Sequence, residues 1–374
     1  MLVKEMSSRM LKAIKNGNLD VLETMDLSVL DEQHQNALFY AIRQRSLKVV
    51  NFLLSKGCNK EQKNGHGPTP LLVAASLGDT KIITSLIEAD VAINISDLKG
   101  RTPLMIAAAK GPLETVDLLL DFGAEPHHKD NLDQHLGFYA VRSKKIKIFT
   151  RALELGNTPH AFNKHHENLH HQVARYGLKT MQTHLFDLKV TPYIINMYRQ
   201  SPLHLAAKRG DELIIDSYLQ YGLPTYLKDT FNLNPKDYAQ DYGEIMTMFE
   251  RFETHPYIAK AFKQQPLHRA LRKGSLDEAE ALLRMGYQID DKDFFGNKPL
   301  FYILLNKDEL LLRLCLKRVH DIKDIDKFGR DAVFYAALLE HTTFFDLYDI
   351  KKDALDDETQ TILERSEKLN HVLK

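Results

Sequence analysis

The stretch DLKGRTPLMIAAAKGPLETVDLLLDFGAEP, residues 97–126, decides how the rest of the chain is read. Gly100 permits a tight turn, because a residue without a Cβ can take a positive φ. Thr102 followed by Pro103 marks a helix start: the hydroxyl can accept from a free first-turn amide, and a proline at the first helical position sacrifices no hydrogen bond. Ala107 and Ala108 are small, as a helix must be where a neighbour comes close. Gly111 closes that helix and Pro112 opens a second, LETVDLLL, with leucines at helical spacing. Asp121-Phe122-Gly123-Ala124 leads out to the next turn. One such hairpin cannot bury its own apolar face, so it must stack on copies of itself.

Copies are present along the chain. Ala41, Ala74, Ala107, Ala140, Ala206 and Ala239 fall on a 33-residue grid, with Val173 in the remaining slot. Gly57, Gly123, Gly156 and Gly222 recur at multiples of 33, and Pro126, Pro159 and Pro192 do the same. Three residue types sharing one period indicate a repeat architecture. Residues 10–25, MLKAIKNGNLDVLETM, read as an N-terminal capping repeat with Ala13 at the alanine position. After Ala239 the grid slips: Ala270 follows 31 residues later, then Ile303 and Ala336 resume at 33. The slip surrounds YGEIMTMFERFETHPYIAKAFKQ, and the final DDETQTILERSEKLNHVLK suits a capping helix with Ile362, Leu363, Leu369, Val372 and Leu373 turned inward.

The unit resembles the ankyrin repeat, with its T-P-L-H-x-A-A and L-L-L-x-x-G-A signatures. The best copies are TPLLVAASLGD (69–79), TPLMIAAAKG (102–111), SPLHLAAKRGD (201–211) and QPLHRALRKGS (265–275). The resemblance implies an all-α ankyrin-repeat solenoid of about eleven helix–turn–helix units with short hairpin tips and a C-terminal capping helix. The expected division is an array with its N-terminal cap over 1–252, an irregular break or kink over 253–263, a second short array over 264–349 and the capping helix over 350–374.

Composition narrows the function classes. Fifty basic and fifty acidic side chains balance, which argues against general nucleic-acid or membrane-surface binding. Cys58 and Cys315, the only cysteines, are too few for a disulfide framework or a thiolate metal cage. No apolar run approaches the ~20 residues of a membrane span, and the first residues lack the unbroken apolar core of a secretory signal. The expectation is a soluble, intracellular, monomeric protein without a cofactor. There is no P-loop, no G-x-G-x-x-G opening a helix after a strand and no G-x-S-x-G elbow.

One stretch does suggest chemistry. HHENLHH, residues 165–171, contains His166-Glu167-Asn168-Leu169-His170, an H-E-x-x-H string of the kind that binds zinc when it lies on a helix. The repeat register argues against that use. His166 takes the turn glycine's position and Asn168 the N-cap, so His166 precedes the helix that contains His170, and the two imidazoles do not share a face. Val173 also stands where an extended zinc motif has its glycine. His171 matches the T-P-L-H histidine, as His204 and His268 do. A metal-binding or metallohydrolase site at the His160–His171 cluster is the enzymatic alternative to a reading that is otherwise non-enzymatic.

The resemblance implies that a partner protein binds in a concave groove built from hairpin tips and first helices. Two register positions carry a pattern there. The position two residues after the alanine gives Arg142, Arg175 and Lys208 in consecutive repeats, with Arg209 beside the last. Such a row suits an acidic or phosphorylated segment; nucleic acid along it is the alternative. The position before the turn glycine gives Tyr198, Phe231, Phe262, Phe295 and Phe328, aromatics of the kind that form binding hot spots if exposed. The two halves are thus expected to grip different parts of one ligand. His127, His128, His135, His160, His165, His166, His170, His171 and His184 crowd beside the basic row, where groove-facing imidazoles would strengthen binding as pH falls toward 6. The function expected is a protein-interaction module or scaffold, with a host-directed bacterial effector or adaptor in the host cytoplasm as a variant of the same reading.

Overall fold

A computed structural model describes residues 8–255, 265–272, 275–293, 295–319, 321–348, 350, 355–366 and 369. Among these the chain is all-helical, without a strand. It forms two compact units, Met1–His165 and His166–Lys374. The first contains five helix pairs among the described residues: α1 (Ser8–Asn16) with α2 (Leu19–Glu23), α3 (Ala37–Arg43) with α4 (Leu47–Ser55), α5 (Pro70–Leu77) with α6 (Thr80–Glu88), α7 (Pro103–Lys110) with α8 (Leu113–Asp121), and α9 (Leu136–Arg142) with α10 (Ile146–Glu154). The second continues the repeat: α11 (Leu169–Tyr176) with α12 (Lys179–Asp187), α13 (Pro202–Arg209) with α14 (Glu212–Gln220), and a 3-10 turn Asp237–Ala239 with α15 (Gly243–Thr254). Beyond the slip come α16 (Pro266–Arg272) with α17 (Leu276–Arg284), α18 (Pro299–Asn306) with α19 (Glu309–Leu316), α20 (Ala332–Leu338) with α21 (Thr342–Leu347), and the terminal α22 (Asp357–Arg365). Most of the break at 253–263 lies outside the described residues.

The local rules act as the sequence anticipates. Thr102 caps α7, its Oγ1 accepting from the Met105 amide, and Pro103 begins the helix. Every residue on the alanine grid, from Ala41 to Ala336 and including Val173 and Ile303, is fully buried. First helices stack on first helices, α5 on α7 and α7 on α9 in one unit, α11 on α13 in the other. Gly111 ends α7 as the sequence anticipates, but without a left-handed conformation. Its φ is −76°, and it is glycine because a Cβ would stand 3.0 Å from the Ala107 carbonyl oxygen. Pro112 then prevents the helix from continuing.

Five of the described tips are locked to their own first helices by a recurring acidic residue. Asp31, Asp130, Asp229, Asp293 and Asp326 each accept the hydroxyl of the tyrosine nine residues on, Tyr40, Tyr139, Tyr238, Tyr302 and Tyr335, at 2.5–2.7 Å. The other carboxylate oxygen accepts the turn amides; for Asp293 these come from Phe295 and Asn297, both at 2.9 Å. The spacing D-x8-Y is itself periodic, but its meaning emerges only when the turn is seen.

In the second unit the repeats beyond the slip pack back onto those before it. The segment Val190–Asn196 is buried throughout, whereas the equivalent Ala124–Asp130 of the first unit is buried only at its two ends. Tyr193 sets its ring against Phe301 (4.8 Å between centroids) and Phe328 (5.5 Å). At the C-terminal end Leu363 and Leu369 are buried as a cap requires and Ile362 is half-buried; Val372 and Leu373 lie outside the described residues. Among the described residues no helix is long and apolar enough to cross a membrane.

Candidate functional site

The zinc-like string is a turn followed by a cap. His166 has φ +57° in the hairpin tip, Asn168 caps α11, and the helix starts at Leu169. His170 is fully buried with Nε2 2.9 Å from the Val190 carbonyl oxygen and Nδ1 3.2 Å from the Tyr218 hydroxyl. Glu167 is buried too and accepts from both Arg175 guanidinium nitrogens (2.5 and 3.1 Å), from Gln172 Nε2 (2.9 Å) and from Asn196 Nδ2 (3.3 Å). Burial by itself raises that carboxyl, but the guanidinium and the amide donors outweigh it and hold it at about 2. Glu167 is therefore a fixed structural anion, unsuited to take a proton near neutrality. Among the described residues no three His, Cys, Asp or Glu side chains gather as a metal site. Cys58 and Cys315 are buried, and burial raises both thiols, so neither is poised as a thiolate.

The histidine cluster does not face a common groove. His135, His170 and His171 are core residues, and burial holds His135 and His171 down at about 4. Those two stay neutral through pH 6 and cannot supply the pH-strengthened binding that their number suggested.

The basic row is largely committed within the fold. Arg142, in the first unit, donates to Gln134 Oε1 (2.7 Å) and lies over the Tyr139 ring. In the second unit Arg175 is paired with Glu167, and Arg209 donates to the Gly177 carbonyl (2.9 Å) while pairing with Asp211 (3.1 Å). These three are half-buried; Lys208 alone of the four is exposed. Replacing Arg175 with alanine would leave Glu167 buried without its counter-charge. Since Arg175 itself is partly solvated, a loss of about 2–3 kcal/mol is expected, read as a lowered urea midpoint.

The aromatic positions divide sharply. Tyr198 and Phe231 sit on adjoining tips of identical construction: Asn196 Oδ1 accepts from the Tyr198 and Gln200 amides, and Asp229 Oδ1 from those of Phe231 and Leu233. The Thr230 amide donates to the Tyr198 carbonyl at 3.0 Å and ties the tips together. Phe231 is 70% exposed and Tyr198 46%. Phe295 and Phe328 occupy the same place in the same kind of turn, yet are only 5% and 6% exposed. Their expected role as an exposed binding row is corrected: both rings face the chain's own Tyr193, Tyr221 and Gly222 neighbourhood. Phe262 lies outside the described residues.

What remains open is a patch on the tips between residues 196 and 233. Met197 (53% exposed) and Leu233 (38%) flank the two rings, and Lys208 stands on the adjacent helix, its ammonium 5.7 Å from the Tyr238 ring centroid. Periodicity finds Tyr198 and Phe231 but misses Met197 and Leu233. Their signal is two apolar side chains beside the tip aromatics, where the first unit places mostly polar residues.

Residues 58–130 match the family model for ankyrin repeats, in three copies. A stretch of 89 residues is 38% identical to the RelA-associated inhibitor of Mus musculus; it is 22% of this chain and 11% of that protein. The chain therefore spans a small part of the relative it matches. Residues 58–130 are thus ankyrin repeats, the stacked helical hairpins and their capping chemistry give the other described residues the same solenoid architecture, and the repeats support a protein-interaction module in general terms.

Proposed function

We propose that the chain is non-enzymatic and binds its protein partner on the tips between residues 196 and 233. Tyr198 and Phe231 would act as apolar anchors, and Lys208 would meet an acidic or phosphorylated group on the partner. The observation that carries this reading is the contrast within one register position: two rings are held out into solvent by rigid, hydrogen-bonded turns, while the two equivalent rings are covered. Exposed aromatics already fixed in place lose little freedom on binding, which is what makes such residues hot spots. The basic row contributes less than its sequence suggests, because Arg142, Arg175 and Arg209 each have intramolecular partners.

Capture from cell lysate with Tyr198→Ala/Phe231→Ala and with Lys208→Glu tests the reading. Both variants are expected to leave stability within about 0.5 kcal/mol of the wild type, since the side chains are exposed. The aromatic pair should lose a wild-type partner by tenfold or more, roughly the cost of one hot-spot truncation, and Lys208→Glu should lose it if the partner is acidic. A partner retained by the aromatic variant would remove the proposed surface. One lost from that variant but indifferent to Lys208→Glu would keep the surface and discard the acidic group.

A further inference from the structure

The residue two places after the repeat alanine reports whether a groove is open. It is half-buried at Arg142 and Arg175 and exposed at Lys208, but buried at Arg272, Leu305 and Leu338. The array 265–348 has its groove filled by the chain itself. Thr191 Oγ1 lies 2.9 Å from the Tyr335 hydroxyl, and Asn297 Nδ2 donates to the Tyr193 hydroxyl at 3.2 Å. Arg272 donates to the Gly222 carbonyl (3.0 Å), Arg199 to that of Asn306 (3.3 Å) and Lys327 to that of Tyr221 (2.9 Å). The Lys327 ammonium is also 4.8 Å from the Tyr221 ring centroid and 5.4 Å from that of Phe328, so one cation bridges rings from both sides.

These contacts have the form of a bound peptide. Val190–Asn196 carries no helix, its tyrosine enters between Phe301 and Phe328, and the Thr191 and Tyr193 hydroxyls are met by Tyr335 and Asn297 of the array. Neighbouring repeats elsewhere also exchange side-chain-to-carbonyl bonds, Lys145 to Gly111 and Arg209 to Gly177 (both 2.9 Å), but there they join alanine-lined helices stacked side by side and not an extended segment held in a groove. The interface mixes buried apolar side chains, Val190, Ile194 and Ile195, with hydroxyl and carbonyl contacts that water can take over, and interfaces of this mixed kind inside a chain can open.

We propose that the array 265–348 is a receptor for extended protein segments carrying a tyrosine followed by aliphatic residues, and that in the resting chain it holds its own Thr191–Asn196. A partner segment of that chemistry takes the place when this one leaves. The inference rests on the protein-interaction reading only for the class of ligand, and it uses a different surface, so either can fail alone.

The test uses the full chain and a fluorescent peptide with the sequence of residues 189–198, read by anisotropy. Tyr193→Ala empties the groove, and Arg199→Gln removes a clasp onto the Asn306 carbonyl from outside the array, leaving the array's own side chains intact. Both are expected to bind the peptide with saturation and about tenfold or more tighter than the wild type, the scale of one anchor residue. Adding Phe328→Ala to either, or replacing the peptide's tyrosine by alanine, should cancel that gain. If Tyr193→Ala loses helicity, Arg199→Gln decides on the same criterion. Absence of saturable binding to a variant of wild-type helicity, or binding indifferent to the peptide's tyrosine, would overturn the proposal.

Discussion

Acidification from pH 7.5 to 4 is expected to destabilise this protein strongly without any carboxylate having to protonate first. His135, His171 and His204 are 3%, 0% and 0% exposed, and desolvation lowers each from 6.5 to about 4. The hydrogen bonds show why the neutral ring is required. The amide of Ser201 donates to His204 Nδ1 (3.0 Å), that of Asn168 to His171 Nδ1 (3.3 Å) and that of Gly137 to His135 Nδ1 (3.0 Å). Nε2 of His204 and His171 must then carry the proton, toward the carbonyls of Leu227 (3.0 Å) and Gln200 (3.1 Å). A second proton would oppose the capping amide. The unfolded chain takes up protons from pH 6.5 downward while the folded chain does not until about 4, so the stabilising contribution is complete above 6.5 and disappears across that window. Each histidine contributes roughly 3 kcal/mol over the window. His171 and His204 act on one unit and His135 on the other, so the loss falls unequally on the two. Urea midpoints at pH 7.5, 6 and 5 should fall progressively, with the larger fall in the unit that holds His171 and His204. The Glu167 pair, with its carboxyl at about 2, remains intact across most of this range and begins to weaken only below pH 4.5. His204→Gln should be less stable at pH 7.5 yet flatter with pH. A midpoint unchanged between pH 7.5 and 5 would contradict the assignment of these rings as neutral caps.

Those histidines also show how far the sequence can be read. The T-P-L-H position tells that His171, His204 and His268 are structural, and the register places His166 outside the helix; both follow from local rules that act within a few residues. The alanine grid works for the same reason, because each alanine answers to the repeat next to it. Phe231 and Phe295 mark the limit. Each stands two residues after an aspartate that holds the turn, so nothing local separates them. Phe295 is buried because Gly222 and Arg272 come against its ring, and the glycine is more than seventy residues away. A signal did exist in Thr191-Pro192-Tyr193-Ile194-Ile195, an apolar run where Glu125-Pro126-His127-His128-Lys129 is polar, but it shows only that something covers the loop, not what. The basic row fails in another way. Side-chain type is visible in sequence, whereas commitment to a partner is not, and Arg175 is satisfied by Glu167 eight residues earlier just as Arg142 is by Gln134.

The back-packed arrangement makes a differential prediction among glycines of one register. Gly57, Gly123, Gly156 and Gly222 all end their second helices with positive φ, from +73° to +87°. A Cβ would meet nothing within 4 Å at Gly57 or Gly123, and only His127 Cε1 at 3.4 Å at Gly156. At Gly222 it would overlap the Phe295 ring. That ring cannot easily yield, because the Arg272 guanidinium lies 4.7 Å from its centroid and is itself buried, donating to the Gly222 carbonyl and to the Tyr302 hydroxyl. Gly123→Ala should therefore carry only the left-handed backbone penalty, about 1 kcal/mol. Gly222→Ala adds the steric cost of overpacking a filled interior, typically a further 1–3 kcal/mol, and the displacement of a buried charge from its acceptors. A fall in stability of roughly 3–4 kcal/mol is expected at Gly222, confined to the unit Met197 and Phe231 belong to, against about 1 at Gly123. Equal effects at the two sites would mean that Phe295 does not rest on Gly222 in solution, and the closed groove of the 265–348 array would fall with that contact.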